Sequence, residues 1–192
     1  MAFRIDGPYT LDLKYLSDEA SGIRVRCVNK DKSAQKLRHL PIGRRAGGLY
    51  IFAIRRQRGA GKPWYVGMNE GTDQGSLYKE ALTNEKLRKY ARALAEEDSG
   101  SALLFFLSPD DRRSDDIPEL ETFLIWLARQ RNPHLLNKRK FSLTPRLLHK
   151  HLHQHQITGV LNARAGHPGK AADTFRKMIG WNSPMHIGRL QE

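Results

Sequence analysis

Cysteine and long apolar runs are scarce in this sequence. One cysteine, Cys27, occurs in 192 residues, so the chain can form neither an internal disulfide framework nor a cysteine-rich metal site. No segment approaches the ~20 consecutive apolar residues of a membrane-spanning helix. The opening residues MAFRIDGPYT lack the apolar region of a signal peptide. We therefore expect a cytoplasmic protein without a membrane partner, in which Cys27 is a small buried hydrophobe.

Acidic residues are missing from two long parts of the chain. Neither Arg44–Trp64 nor Thr122–Ala172 contains an Asp or Glu, although both are rich in cations, and the formal net charge is +13. Cationic side chains that neutralise phosphates release condensed counterions, and such a segregation of charge is typical of proteins that bind a polyanion. We predict a nucleic-acid partner, with DNA favoured over RNA. An anionic membrane is less favoured, because no basic amphipathic helix stands out.

Two apolar segments flank a glycine-containing loop in the middle of the chain. The nearly continuous apolar run Leu49–Ile54 is typical of a buried strand. Gly59–Pro63 has the residues of a turn, and Trp64–Val66 predicts a second strand after it. The segment therefore predicts a β-hairpin with a long basic loop. Each strand places a tyrosine near a glycine, in the triplets Gly48–Tyr50 and Tyr65–Gly67.

The next part of the chain predicts a helix, a strand and a second helix. Apolar residues recur at helical spacing over residues 77–97, and SALLFFLS at 101–108 predicts a third buried strand. Asp116 is a suitable N-cap for a helix that ends near Arg131, with Glu119 three residues after the cap. The order β-β-α-β-α predicts an α+β fold with a small mixed or antiparallel three-stranded sheet flanked by helices.

The predicted core occupies residues 46–140 and has a segment on either side. Residues 1–45 predict a lead-in of short strands, and 141–192 a basic, mainly helical appendage with helices at 145–155 and 171–179. Four histidines in the first of these helices form two i,i+4 pairs: His149, His151, His153 and His155. The pairs point to different faces, and no carboxylate or cysteine is near enough to complete a metal site. We interpret this segment as a basic docking helix.

The order of these pieces resembles that of the GIY-YIG nucleases. In that family two tyrosines meet across a hairpin, as Tyr50 and Tyr65 would here, and a helix carries a metal-binding glutamate, which corresponds to Glu121. An asparagine often follows in a loop, and Asn137 in Leu-Leu-Asn matches it. The resemblance covers Gly47–Lys140, about half of the chain. It implies a GIY-YIG-type endonuclease that hydrolyses phosphodiester bonds.

The resemblance also implies roles for individual side chains. Glu121 would hold Mg²⁺ or Mn²⁺, which keeps most of its waters and takes substrate oxygens. Tyr50 would deprotonate or orient the attacking water, with Tyr65 as its partner and Asn137 beside them. A phenol titrates near ~10, so a tyrosine base needs neighbouring cations that lower its pKa. Arg55, Arg56 and Lys62 are candidates both for lowering this pKa and for contacting nucleic acid. Gly67 is a further candidate contact, because a glycine leaves room for the backbone to approach substrate. The remaining candidate contacts are Lys138, Arg139 and Lys140.

One family residue is missing from its expected place. The helical arginine that clamps the scissile phosphate should follow Leu77 by three positions, and Glu80 stands there instead. Lys79 and Lys86 are seven residues apart and would share a helix face, so either could supply the charge as a point donor. Arg88 is a third option. Two other functions therefore remain open: a nucleic-acid-binding module that keeps the fold without cleaving, and a basic protein-interaction domain. The sequence gives no oligomeric state.

Overall fold

A computed structural model describes residues 2–17, 24–41, 45–56, 59, 61–71, 75–109, 117–138, 156–159 and 168–180. The elements in these parts are, in chain order, β1 (Ala2–Thr10), β2 (Leu13–Ser17), β3 (Arg24–Val28), α1 (Lys30–Leu37), β4 (Gly47–Arg55), β5 (Lys62–Glu70), α2 (Leu77–Ala81), α3 (Asn84–Glu96), β6 (Ser101–Pro109), α4 (Ile117–Arg131), β7 (Gln156–Gly159) and α5 (Pro168–Ile179). The predicted α+β class is confirmed.

The main sheet has five strands in the order β5-β4-β6-β1-β7, and β2 and β3 form a separate antiparallel pair. Strands β5, β4, β6 and β1 pair antiparallel, whereas β7 pairs with β1 in parallel. The predicted strands β4, β5 and β6 are confirmed, but the predicted count of three is wrong. The two additional strands come from the segments on either side of the predicted core.

Strand β1 lacks the sequence pattern of a buried strand. Gly7 and Pro8 stand in its middle and read as a turn, and the register with β6 shifts between Asp6 and Tyr9. Gly7 has a φ of +120°, and a Cβ there would lie 2.9 Å from the carbonyl oxygen of Leu104. The irregularity is therefore a bulge that only a glycine fits, and the strand continues through it.

The sheet separates two layers of apolar side chains. Alternate residues of β4 point to opposite faces, as strand geometry requires: Ile51 packs with α4 and α5, whereas Phe52 packs with α2 and α3. On the first face, Phe175 of α5 meets Phe105 of β6 with ring centroids 5.9 Å apart. The predicted helix at 171–179 is thus confirmed within α5, which packs on the main sheet. The predicted helix at 145–155, with its four histidines, lies outside the described residues.

The predicted helix at 77–97 is two helices, so that prediction is wrong. Helix α2 ends at Ala81, and α3 begins at Asn84 after an extended N-cap, Thr83. The apolar spacing shows the reason, since Leu82 and Leu87 are five residues apart and cannot share one helical face. Threonine and asparagine also favour helix starts over helix interiors.

Helix α4 runs from Ile117 to Arg131 as predicted, and the chain after it follows the edge of β5. Asn132 donates from its side chain to the carbonyl oxygen of Pro63 at 2.8 Å. The backbone N–H of Leu136 donates to the carbonyl of Trp64 at 2.9 Å. These bonds tie residues 132–137 to the edge strand and carry the chain towards the beginning of α3.

Two smaller expectations have clear outcomes. Cys27 lies on β3 and is half-buried rather than fully buried. Within the parts of the chain that the structure describes, no helix has the length and apolar character needed to cross a membrane.

Candidate functional site

A cavity of about 400 Å³ opens at the edge of β5, between α3 on one face of the sheet and α4 on the other. Strand β5 is the outer strand of the main sheet, so side chains from both faces can meet around its edge. Five predicted site residues line the cavity: Tyr65, Lys86, Glu121, Asn137 and Lys138. Four separate elements therefore contribute chemistry to one place.

Tyr65 lies under two ammonium groups. The Nζ atoms of Lys89 and Lys86 lie 4.7 Å and 5.5 Å from the centre of the Tyr65 ring, within the range of a cation–π interaction. The hydroxyl of Tyr65 is also close enough to the Lys86 ammonium to affect the pKa of that lysine. Burial alone would lower the pKa of Lys86, but the Tyr65 phenol and the Glu85 and Glu80 carboxylates together raise it above its ordinary value. Lys86 is therefore a firmly charged ammonium.

Carboxylates on α2 and at the start of α3 pair with the lysines. Glu85 accepts from Lys89 at 2.6 Å, and Lys86 lies 3.7 Å from both Glu85 and Glu80. The hydrogen bond from Lys89, with the charges of both lysines, lowers the pKa of Glu85. Sequence reasoning missed Lys89 and Glu85. Their i,i+4 spacing, and the three-residue step from Lys86 to Lys89, were the signals that could have found them.

Tyr50 does not reach the cavity. Its side chain is fully buried, and its hydroxyl has no hydrogen-bond partner among the described residues. Its ring lies 6.2 Å from that of Tyr65, centroid to centroid. Burial raises the pKa of Tyr50 well above its ordinary value, and the neighbouring Tyr90, Tyr65, Glu80 and Glu121 add to the effect. The expectation of a lowered tyrosine pKa is therefore wrong for Tyr50.

Gly67 is explained by Tyr50 rather than by a substrate. The two residues face each other across the β4–β5 ladder. A Cβ at position 67 would overlap the ring and hydroxyl of Tyr50. The space that the missing side chain leaves is filled from within the protein, so the expected room for a nucleic-acid backbone is not there.

Asn137 lines the cavity with its side chain already engaged. The amide oxygen accepts from the backbone N–H of Val66 at 3.0 Å, and the amide nitrogen donates to the Val66 carbonyl at 2.8 Å. Its own carbonyl oxygen accepts from the guanidinium of Arg129 at 2.9 Å. Asn137 thus positions the chain beside Tyr65, and its amide is not directed at a ligand.

The two candidate lysines for the missing arginine differ in position. Lys86 lies in the cavity, whereas Lys79 is exposed on α2 and does not line it. Their predicted common face depended on one continuous helix, and the break between α2 and α3 removes it. Arg88 is exposed on α3, outside the cavity lining.

The basic residues of the hairpin loop lie elsewhere. Arg55, Arg56 and Lys62 line a second cavity, at the opposite end of β4 and β5. Arg56 and Lys62 both pair there with Glu97, the latter at 3.1 Å. They do not surround Tyr50. Lys138 is exposed at the rim of the first cavity, while Arg139 and Lys140 lie outside the described residues.

Glu121 is half-buried on α4 and is a cavity carboxylate on the opposite side of β5 from the lysines. Among the described residues there is no cluster of three or more His, Cys, Asp or Glu that could enclose a metal. Mg²⁺ does not need one, because it is commonly held by one or two carboxylates and completes its shell with water and phosphate oxygens. The donor set at Glu121 therefore fits Mg²⁺ or Mn²⁺ in the presence of a phosphate substrate.

Comparisons with protein-family models, with curated proteins and with solved structures found nothing that matches this chain. The resemblance to the GIY-YIG nucleases therefore depends on the residues and their arrangement alone.

Proposed function

We propose that this chain is a metal-dependent endonuclease that hydrolyses phosphodiester bonds in nucleic acid, with DNA as the favoured substrate. The observation that carries the proposal is the meeting of Glu121, Tyr65 and Lys86 in one open cavity at the edge of β5. A carboxylate, a phenol and an ammonium on three separate elements suit phosphodiester hydrolysis. The reaction needs charge stabilised on phosphate oxygens and a water aligned with phosphorus.

The lysines act on the phosphate. The nonbridging oxygens gain charge as the water attacks, and fixed cations at that place lower the barrier. Lys86 and Lys89 lie side by side over Tyr65, and the carboxylate of Glu85 fixes both of them. They supply the charge that the family's arginine would give, as point donors and without a bidentate fork.

Tyr65 acts on the water or on an ester oxygen. The ammonium of Lys86 lies close to the Tyr65 phenol, and the phenol proton can bond an oxygen in the cavity. Hydrolysis breaks the bond from phosphorus to one ester oxygen and replaces it with the water oxygen. The water loses a proton, and the departing oxygen gains one. Tyr65 can take part because it lines the cavity, whereas Tyr50 is fully buried and does not line it.

Glu121 would hold the metal ion. When bound, Mg²⁺ or Mn²⁺ supplies a Lewis acid that polarises the phosphate and lowers the pKa of its waters. The Glu121 carboxylate lines the cavity on the α4 side, and Lys86 and Lys89 line it on the α3 side. A phosphate bound between them would have cationic groups on one side and the metal-binding carboxylate on the other.

A second function, nucleic-acid binding without cleavage, is favoured by one observation. The tyrosine that resemblance assigns to the water is Tyr50, and burial raises the pKa of that phenol and keeps it from solvent. If Tyr65 cannot replace it, the cavity binds phosphate and does not cleave. The two functions make opposite predictions for the same assay.

Incubation of the purified protein with supercoiled plasmid, with Mg²⁺ and with EDTA, tests the proposal. We expect nicked and linear products only with the metal, and their loss in Glu121→Gln with DNA binding retained. Glu119→Gln, two residues earlier on the same helix and outside the cavity lining, is the matched control and should cut like the wild type.

Absence of cleavage of DNA and RNA alike would contradict an endonuclease. Wild-type cleavage by Glu121→Gln would contradict the proposed metal-binding role of that carboxylate. Binding of duplex without any cleavage would support the non-catalytic module. Failure to shift nucleic acid at low salt would leave the basic protein-interaction domain.

A further inference from the structure

The second cavity, at the loop end of the β4–β5 hairpin, has the features of an anion site. It measures about 620 Å³ and is lined by three cationic residues, Arg55, Arg56 and Lys62, and by one carboxylate, Glu97. It is distinct from the cavity at Tyr65 and shares none of its lining residues. Nothing in the proposed hydrolysis uses it.

In this cavity the carboxylate is buried and the cations that pair with it are partly exposed to solvent. The side chain of Glu97 is 5% exposed, whereas those of Arg56 and Lys62 are 56% and 42% exposed. Two cations share a single carboxylate, so positive charge remains after the pairing. Each cation also keeps donors that Glu97 does not occupy, since an ammonium has three and a guanidinium five.

Contacts around Glu97 hold this arrangement before any ligand arrives. The guanidinium of Arg26, on β3, donates to the carbonyl oxygens of Glu97 at 3.2 Å and Gly100 at 2.7 Å. The Nζ of Lys62 lies 4.9 Å from the centre of the Trp64 ring. Side chains that are already ordered lose less entropy when they bind, so the cavity is preorganised for an anion.

We propose that this cavity binds a backbone phosphate of the nucleic acid, at a distance from the scissile bond. The proposal depends on the proposed function for its ligand. Helix α3 joins the two cavities, since it begins near Lys86 and leads to Glu97, eleven residues later. At 1.5 Å per residue the separation is roughly 16 Å, and at 3.4 Å per base pair it spans about five base pairs.

Helix α3 carries two more cations along its length between the cavities. Arg88 and Arg92 are exposed on it, one turn apart. A duplex phosphate bound at Arg56 and Lys62 would fix the register of the strand relative to Tyr65. The subsite therefore selects which bond lies in the candidate active site, and duplexes that end within about five base pairs of that bond lose the contact.

A salt titration of duplex binding separates this role from a purely structural ion pair. A labelled 20-base-pair duplex is titrated by fluorescence anisotropy in EDTA, with Glu121→Gln as the parent protein so that no cleavage can occur. The double variant Arg56→Gln/Lys62→Gln should flatten the slope of log affinity against log salt by about 0.9, the value for one duplex phosphate. Lys32→Gln removes an exposed lysine of α1 and should leave the slope unchanged.

Arg55→Gln repeats the test without breaking either pair to Glu97, which guards against a double variant that fails to fold. Thermal unfolding of every variant confirms the fold. An unchanged slope in Arg55→Gln and in the double variant overturns the subsite, as does a wild-type protein that binds no duplex. Inorganic phosphate could raise the thermal unfolding temperature of the wild type while the slope of log affinity against log salt stays unchanged in the variants. That result would mean that the cavity binds free phosphate, and it would also overturn the duplex subsite. None of these outcomes depends on cleavage.

Discussion

The side-chain amide of Asn137 forms two hydrogen bonds with the backbone of Val66, one to its N–H and one to its carbonyl. Val66 lies on β5, the outer strand of the main sheet, so its backbone would otherwise need water or another strand as partner. The amide mimics a paired strand at this point. It fixes the chain after α4 beside the cavity and holds the edge closed.

We therefore expect Asn137→Ala to act through stability more than through substrate affinity. Each lost bond is worth ~0.5–1.5 kcal/mol, so the free energy of unfolding should fall by about 1–3 kcal/mol in denaturant titration. Duplex affinity in EDTA should change little. Lys138→Ala, the exposed neighbour, is the control and should unfold like the wild type. Wild-type stability for Asn137→Ala would mean that the two bonds contribute nothing in solution.

Gly67→Ala should be destabilising although it adds only one methyl group. The new Cβ would overlap the Tyr50 ring, and overpacking of this kind costs ~1–3 kcal/mol. Combination with Tyr50→Leu, which removes the ring, should cancel most of that cost. A double-mutant cycle by chemical denaturation measures the coupling. Additive effects would contradict the contact.

The two tyrosines should differ sharply when each loses its hydroxyl. Tyr50→Phe removes a buried hydroxyl that has no partner among the described residues, so stability should be unchanged or higher and cleavage should persist. Tyr65→Phe removes the hydroxyl that lines the cavity beside Lys86 and should abolish most cleavage at unchanged stability. Single-turnover rates at saturating DNA compare them. Loss of cleavage in Tyr50→Phe alone would mean that Tyr50, and not Tyr65, acts on the attacking water.

Lys86→Gln should lower the single-turnover cleavage rate by on the order of a hundredfold, the loss expected for one positioned donor. Lys79→Gln, on the separate helix α2, should cut like the wild type. The raised pKa of Lys86 means that its charge, and the stability that this charge contributes, persist below its ordinary pKa and are lost only above it. The rate should therefore show no decline from this group between pH 7 and pH 9. A larger loss in Lys79→Gln than in Lys86→Gln would contradict the assignment.

Phe175→Ala should destabilise the whole fold, because α5 packs against the main sheet. Phe175 is fully buried and meets the ring of Phe105, and such truncations cost ~3–5 kcal/mol. Removal of residues 141–192 should be worse, since it deletes β7 and α5. Lys177→Ala, at an exposed position of the same helix, is the control in thermal unfolding. A truncated chain that melts at the wild-type temperature would show that the tail is a separable appendage.

Local patterns in the sequence determined the elements at the centre of this protein. The apolar runs of β4 and β6 predict strands because short runs of this length, flanked by glycine or proline, are typical of buried strands. The N-terminal signals and apolar stripe of Ile117–Arg131 predict α4. The family resemblance, and not a local pattern, predicted one site for Glu121 and Asn137, and both line the cavity. Where a pattern was interrupted, as at Gly7 in β1 or between Leu82 and Leu87, prediction from the sequence failed.

The tertiary structure alone decided which tyrosine lines the cavity. Tyr50 and Tyr65 pack on the same face of the sheet and stand in similar triplets. Tyr50 lies on β4, which has a neighbour on each side, whereas Tyr65 lies on β5 at the edge. Strand order is set by pairing between distant segments, which no local pattern encodes. That order buries one phenol and leaves the other beside Lys86 and Glu121.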